Sequence, residues 1–249
     1  NQVPPPVTQT INRIVQTTVE KVVPADNAAA VDTKETIVVK EDDATIAAIA
    51  QVSPTVVRIT ASDPSGDQRF GGLGILITSS STPNEVYVVG NIFTTDQVSF
   101  QGALAGGNTI DLTKIATDPA SGLSLFSAEQ SQNLADAKAY TGATLADSNG
   151  VELGQTVISV GGEVSPLIST GIVSSIGTIQ ASATSTEATV TNILTDISDP
   201  DLISNAILID LSGDVVGFKT GANVSDGFIP SDDAANLISE NLPSGTANQ

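Results

Sequence analysis

The amino-acid sequence predicts an all-β fold with one short helix at each end of a compact domain. Three observations support this. The 249 residues are rich in Val, Ile, Thr and Ser, which favour strands. Aromatic residues are scarce, with six Phe and two Tyr, so we expect an aliphatic core. Apolar runs are short and separated by turn residues, as expected for a barrel or sandwich. Two segments, 43–52 and 231–242, have the pattern of helices, with expected caps at Asp43 and Ser231.

Residues 1–43 differ from the rest of the chain and predict an extended arm or stalk. The opening "NQVPPPV" contains three prolines, which favour an extended conformation. Residues 8–23 fit either an amphipathic helix or a strand, because their apolar spacing is helical but their residues are β-branched. Residues 34–43 contain a second strand-like run. We expect this arm to have no core of its own and the compact domain to occupy residues 44–249.

Composition excludes several classes of function. The formal net charge is −19, so we expect no binding to nucleic acid or anionic lipid. The chain has no Cys and no His, which removes thiolate chemistry and the usual neutral-pH base. We expect no cofactor and no metal. No segment of about 18 apolar residues is present, so we expect no membrane span.

The absence of Met, with Asn at position 1, indicates that an upstream segment has been removed. We expect the removed segment to have been a signal peptide or a membrane anchor. The sequence therefore predicts an extracytoplasmic protein, secreted or held at the cell surface.

Five segments, in order and spacing, resemble the protease domain of HtrA/Deg-type trypsin-like serine peptidases. The segments are "VSPTVVRI", "GGLGILIT", "ATDPASGLSLF", "ELGQTVISVGGEVSPLISTGIVSSIG" and "LTDISDPDLISNAILIDLSGDVVGFKTG". The resemblance covers about residues 44–242 and implies a double six-stranded β-barrel. The chain ends soon after the closing helix, so we expect it to lack the PDZ module that is common in this family.

The resemblance also locates the positions of a catalytic triad. Phe93 in "VVGNIFTT" stands where the family has its histidine, and Gly122 in "DPASGLSLF" stands where it has the aspartate. Ser204 in "LISNAI" keeps the nucleophile position. A serine without a base is a poor nucleophile at neutral pH. We therefore expect a pseudoprotease and not an enzyme.

The loop that would shape an oxyanion hole is altered as well. Leu202, Asn205 and Ala206 replace glycines that flank the family's serine. Such glycines permit the positive φ angles that aim backbone N–H groups at a developing oxyanion. The replacements predict that this hole is not formed.

Two alternatives concern single clusters of residues. A Ser-Lys dyad could replace the triad, but nothing in the sequence places Lys114, Lys138 or Lys219 beside Ser204. Asp196, Asp199 and Asp201 could bind a hard cation, although solvated loop acids are the favoured interpretation.

Three functions remain open from the sequence. The first is a structural subunit of a cell-surface or extracellular filament, with residues 1–43 pairing with neighbouring subunits. The second is a binding module that holds a peptide or protein in the degenerate cleft. The third is residual hydrolase activity at Ser204.

Overall fold

The computed structural model describes most of the chain. The described ranges are 14–19, 35–78, 86–92, 99–129, 140–163, 165–180, 188–197, 205–219 and 227–242.

The arm contains a two-stranded antiparallel sheet. Strand β1 spans Ile14–Val19 and strand β2 spans Glu35–Lys40. Their register runs from Ile14 opposite Lys40 to Val19 opposite Glu35. Of the two conformations that the sequence left open for residues 8–23, the strand is therefore found at β1, in agreement with its β-branched residues.

Six strands close the first barrel. In chain order they are β3 Val56–Ser62, β4 Gln68–Thr78, β5 Val86–Asn91, β6 Ser99–Leu104, β7 Thr109–Thr117 and β8 Leu123–Glu129. Their order around the barrel is β3-β4-β5-β8-β7-β6, and every neighbouring pair is antiparallel. Alternation of buried and half-buried residues along β3 is typical of a strand with one face in a barrel core.

The second barrel has the same number of strands. They are β9 Thr156–Gly161, β10 Leu167–Gln180, β11 Ala188–Thr195, β12 Ile207–Ile209, β13 Val215–Lys219 and β14 Phe228–Pro230. Their order is β10-β11-β14-β13-β12-β9. Two closed six-stranded antiparallel barrels confirm the predicted all-β fold of trypsin-like type.

Two helices flank the barrels, α1 over Glu41–Val52 and α2 over Ser231–Asn241. Both expected caps are wrong. Asp43 lies inside the first turn of α1, where its charge suits the positive end of the helix dipole. The cap position of α2 belongs to Pro230, and the Ser231 hydroxyl instead donates to the carbonyl oxygen of Ala146 at 2.7 Å.

One hydrophobic core joins both barrels and both helices. Its buried members include Ala48 and Val52 of α1, Leu125 of β8, Ile209 of β12 and Ile238 of α2. Because each barrel and each helix contributes to the same core, they form one packed body.

Helix α1 lies against the turn between β12 and β13. At Gly213, where φ is 85°, a Cβ atom would lie 3.0 Å from Cδ of Gln51 and 3.1 Å from the carbonyl oxygen of Ala48. A glycine is thus required by both the backbone conformation and the closeness of the helix.

Within the described residues, no helix has the length and apolar character needed to cross a lipid bilayer.

Candidate functional site

The candidate site comprises the triad-like and oxyanion-loop positions that the family resemblance identifies. Phe93, Leu202 and Ser204 lie outside the described residues. Gly122, Asn205 and Ala206 are described.

Gly122 ends a tight turn between β7 and β8. Its φ is 77°, a conformation that favours glycine, and its N–H donates to the carbonyl oxygen of Asp118 at 2.8 Å. A Cβ at Gly122 would lie 3.7 Å from Nδ2 of Asn91, the last residue of β5. The fold therefore brings Gly122 next to the strand that leads, two residues later, to Phe93.

The carboxylate of Asp118 holds this turn together. Its Oδ1 accepts the N–H of Ala120 at 3.1 Å, and its Oδ2 accepts the N–H of Ser121 at 2.9 Å. Hydrogen bonding from the Ser121 side chain, together with these backbone bonds, lowers the pKa of Asp118 despite partial burial. This aspartate is thus committed to supporting the turn.

Asn205, directly after Ser204, has left-handed backbone. Its φ is 69°, and no other non-glycine residue that the structure describes has a positive φ. Asn is among the few residues that adopt this conformation at modest cost. The backbone at Asn205 therefore has the conformation that a glycine would adopt without strain.

The side chain of Asn205 is an unusual buried group. It is 2% exposed, and neither its Nδ2 nor its Oδ1 finds a hydrogen-bond partner among the described residues. Leaving such a group unpaired costs about 1–3 kcal/mol. A buried amide with free hydrogen-bonding capacity thus stands beside the expected nucleophile position.

The backbone also brings Lys219 to the same strand pair. Its N–H donates to the carbonyl oxygen of Ala206 at 2.7 Å, across the β12–β13 hairpin. The residue is 7% exposed, and its Nζ lies 5.3 Å from the centre of the Phe228 ring. Lys219 therefore lies opposite a residue two positions after Ser204, a placement that we missed. Pairing the two apolar runs about the turn at 210–214 would have found it.

The other two lysines considered for a Ser-Lys dyad differ from Lys219. Lys114 is exposed on β7 of the first barrel, with its Nζ 5.8 Å from the centre of the Phe100 ring. Lys138 lies outside the described residues.

The proposed cation cluster is only partly described. Oδ1 of Asp196 accepts the N–H of Ile172 at 2.7 Å, while Asp199 and Asp201 lie outside the described residues. In the part of the chain that the structure covers, no group of three or more His, Cys, Asp or Glu residues could hold a metal ion.

A cavity of about 390 Å³ opens between the β7–β8 turn and helix α2. Asp118, Asp233 and Glu240 supply its acidic lining, and Leu237 supplies an apolar part. Burial, and then repulsion from Asp118 and Asp232, raises the pKa of Asp233. The cavity is thus strongly acidic.

Comparisons with solved structures identify proteins of similar fold. No protein-family model matches the sequence, and no curated protein matches it. Among solved structures, the chain is similar to a variant of the HtrA-type protease AlgW with a tripeptide and to AlgW with a decapeptide. Each match has a TM-score of 0.60, 19% sequence identity and 81% coverage of this chain. The chain spans 64% of the first protein and 68% of the second. The trypsin-like HtrA fold expected from the sequence is confirmed.

These matches contradict our expectation that the chain is not an enzyme. Both matched structures are proteases, so the fold is one that carries peptide hydrolysis. Of the three triad-like positions, Gly122 is the one that lies among the described residues. The chain has the fold of a protease.

Proposed function

We propose that this chain is an HtrA-like subunit that assembles with copies of itself through its N-terminal arm. The observation that carries the proposal is the β1–β2 sheet. Among the described residues, each of its strands pairs only with the other and with neither barrel. In the part of the chain that the structure describes, both outer edges of the sheet are thus open.

An open strand edge favours pairing with another chain. It presents a row of backbone N–H and C=O groups that can extend a sheet. Nine of the twelve residues in β1 and β2 are β-branched, and β1 has no charged residue. An isolated two-stranded sheet is marginally stable in water, so further strands would stabilise it.

The arm is joined to the domain without a linker. β2 ends at Lys40 and α1 begins at Glu41. Oε1 of Glu41 accepts the hydroxyl of Thr156 at 3.1 Å, which ties the start of α1 to β9. The sheet is therefore held at a fixed point of the domain, as an assembly element requires.

Deletion of residues 1–40 tests the proposal. This deletion leaves α1 intact, and with it the buried Ala48 and Val52. We expect the full chain to form higher oligomers in sedimentation experiments and the deleted chain to sediment as a monomer. A chain lacking only residues 1–12 keeps both strands and is the control. Equal masses for the full and the 1–40-deleted chain would refute self-assembly through the arm.

A second candidate function is peptide binding at the candidate site. The two AlgW structures that share the fold contain a tripeptide and a decapeptide, and the buried Asn205 amide offers unused hydrogen-bonding capacity. Calorimetric titration of the full chain with an extended-peptide library tests it, with Asn205→Ala as the site variant. Binding that is not saturable, or that is unchanged in the variant, would argue against this site.

A further inference from the structure

Over half of its length, strand β10 has an edge with no strand partner among the described residues. It is 14 residues long and changes partner midway, pairing with β9 through residues 167–172 and with β11 through residues 173–180. Just before β9, the backbone carbonyl oxygen of Gln155 accepts the N–H of Val173 at 2.9 Å. The backbone N–H of Gly154 donates to the Val173 carbonyl oxygen at 2.8 Å. Beyond Val173, the β9-side edge of β10 has no strand partner within the described ranges.

This edge, residues 174–180, is accessible and free of charge. Its sequence is SSIGTIQ, and its exposed members are Ser174, Ser175, Thr178, Ile179 and Gln180. Ile179 is 62% exposed, which is unusual for an isoleucine on a strand. Natural edge strands are commonly protected by charges or by Pro, and none of these residues is present here.

We propose that residues 174–180 of β10 accept strand β1 from a second copy of this chain, an inference that rests on the proposed self-assembly. The partners match in length, six residues in β1 against seven on the β10 edge. They also match in charge, because neither contains Asp, Glu, Lys or Arg. Copies with a net charge of −19 repel one another, so contact is least costly where two uncharged segments meet.

β1 is the better donor of the two arm strands. β2 begins with Glu35, ends with Lys40 and continues directly into α1. β1 has neither the charges nor the direct connection to the helix. In one copy β1 pairs with β2 and not with β10, so the strand that completes the β10 edge comes from another copy.

The geometry of such an assembly is head-to-tail. Each copy carries one donor, β1, and one acceptor, the β10 edge, on different strands. A contact between unlike surfaces generates a ring or a filament, whereas a contact between like surfaces generates a closed dimer. The proposed pairing therefore predicts a head-to-tail series of copies.

The acceptor edge is tested by adding charge to it. We expect the variant Thr178→Glu/Ile179→Glu to sediment at the mass of one chain, 25.2 kDa, under conditions in which the unmodified chain forms oligomers. Ser174→Glu/Ser175→Glu changes the same edge at separate positions, so the test does not depend on one variant folding. Ser99→Glu/Thr109→Glu adds equal charge at exposed strand positions of the first barrel and should leave the oligomers unchanged.

A mixing experiment tests the pairing directly. The chain lacking residues 1–40 keeps only the acceptor, and Thr178→Glu/Ile179→Glu keeps only the donor. We expect each to be monomeric alone and the mixture to form a 1:1 complex that grows no further.

If both edge variants assemble as the unmodified chain does while the arm deletion does not, self-assembly stands and the β10 acceptor is wrong. Two monomeric variants that fail to form the complex would also overturn the pairing. An arm deletion without effect would overturn the proposed function itself.

Discussion

The backbone N–H of Ile172 donates to Oδ1 of Asp196 at 2.7 Å, and the N–H of Asp196 donates back to the carbonyl oxygen of Ile172 at 3.2 Å. This reciprocal pair lies where β10 passes from β9 to β11 and where β11 has just ended. Gly171 stands directly beside the carboxylate, where a Cβ would overlap Oδ1. The side chain of Asp196 thus continues the sheet for one further hydrogen bond.

Replacing Asp196 should weaken this junction. We expect Asp196→Ala to lower the free energy of unfolding by about 0.5–1.5 kcal/mol, because the Ile172 N–H loses the carboxylate that accepts it and bonds to water instead. Urea denaturation measures the change. Asp67→Asn, at an exposed carboxyl of the β3–β4 turn, is the control and should be close to neutral. Equal stability of Asp196→Ala and the unmodified chain would contradict the structural role.

Gly72 should not tolerate a side chain. A Cβ there would overlap the carbonyl oxygen of Asn91, at the end of β5, and lie 3.2 Å from its carbonyl carbon. We expect Gly72→Ala to cost about 3 kcal/mol of stability, since two strands of a closed barrel would have to separate. Thermal unfolding measures the loss. Gly106→Ala, in open space at the β6–β7 turn, should change stability by less than about 0.5 kcal/mol.

The left-handed backbone of Asn205 predicts the order of stability of variants at this position. We expect Asn205→Gly to fold with a melting temperature close to that of the unmodified chain, because glycine adopts a φ of 69° without strain. Asn205→Val should lose roughly 2 kcal/mol, since β-branched residues are disfavoured there. Calorimetry measures both. If the valine variant were the more stable, the turn would not have this conformation.

Stability should depend on pH through Asp233. Its pKa is raised in the folded protein by burial and by the nearby carboxylates of Asp118 and Asp232, so its ionised form opposes folding at neutral pH. We expect Asp233→Asn to be more stable than the unmodified chain at pH 7, by less than about 1 kcal/mol because the group is partly exposed. This advantage should shrink as the pH falls through the raised pKa and Asp233 takes up a proton. Urea titrations at several pH values measure it, and an advantage that grew on acidification would contradict the assigned cause.

Peptide hydrolysis by this chain cannot use imidazole, because the sequence contains no histidine. We expect the pH–rate profile of any hydrolysis at Ser204 to lack the inflection near about pH 6.5 that an imidazole base produces. Ser204→Ala identifies contaminating activity, which would survive the substitution. An inflection near that pH that disappears in Ser204→Ala would show that the prediction is wrong.

The barrels were predictable because strand signals along the chain are local. Runs such as "GGLGILIT" and "TVISVGG" alternate with turn residues. Strand β4 contains the first run, and β9 contains the second except for its last glycine. The caps were not predictable in this way. Ser231 has the right chemistry for a cap, but its hydroxyl bonds Ala146, a residue 85 positions away that no local pattern reveals.

The candidate site was predictable only in part. Gly122 lies next to Asn91 because Asn91 ends β5 and pairs with Leu123, which begins β8 directly after Gly122. The triad-like position of Gly122 came from the sequence only through the resemblance, and that position stays a prediction. The buried Asn205 amide and the placement of Lys219 were not foreseen, since burial and cross-strand pairing are properties of the folded chain. The extracytoplasmic location remains a prediction.

The contact of Gln51 and Ala48 with Gly213 has a consequence for the order of events during synthesis. Helix α1 is made before both barrels, and the turn it covers is made more than 150 residues later. At about 5–20 residues per second, a ribosome leaves the inner face of α1 without this docking partner for roughly 10–30 seconds. During that interval Ala48 and Val52 are uncovered on one side, while β1 and β2, which are closer in sequence, have already emerged. The growing chain therefore exposes the strands of its arm before its core is complete. We expect premature association between chains to be most frequent in this period.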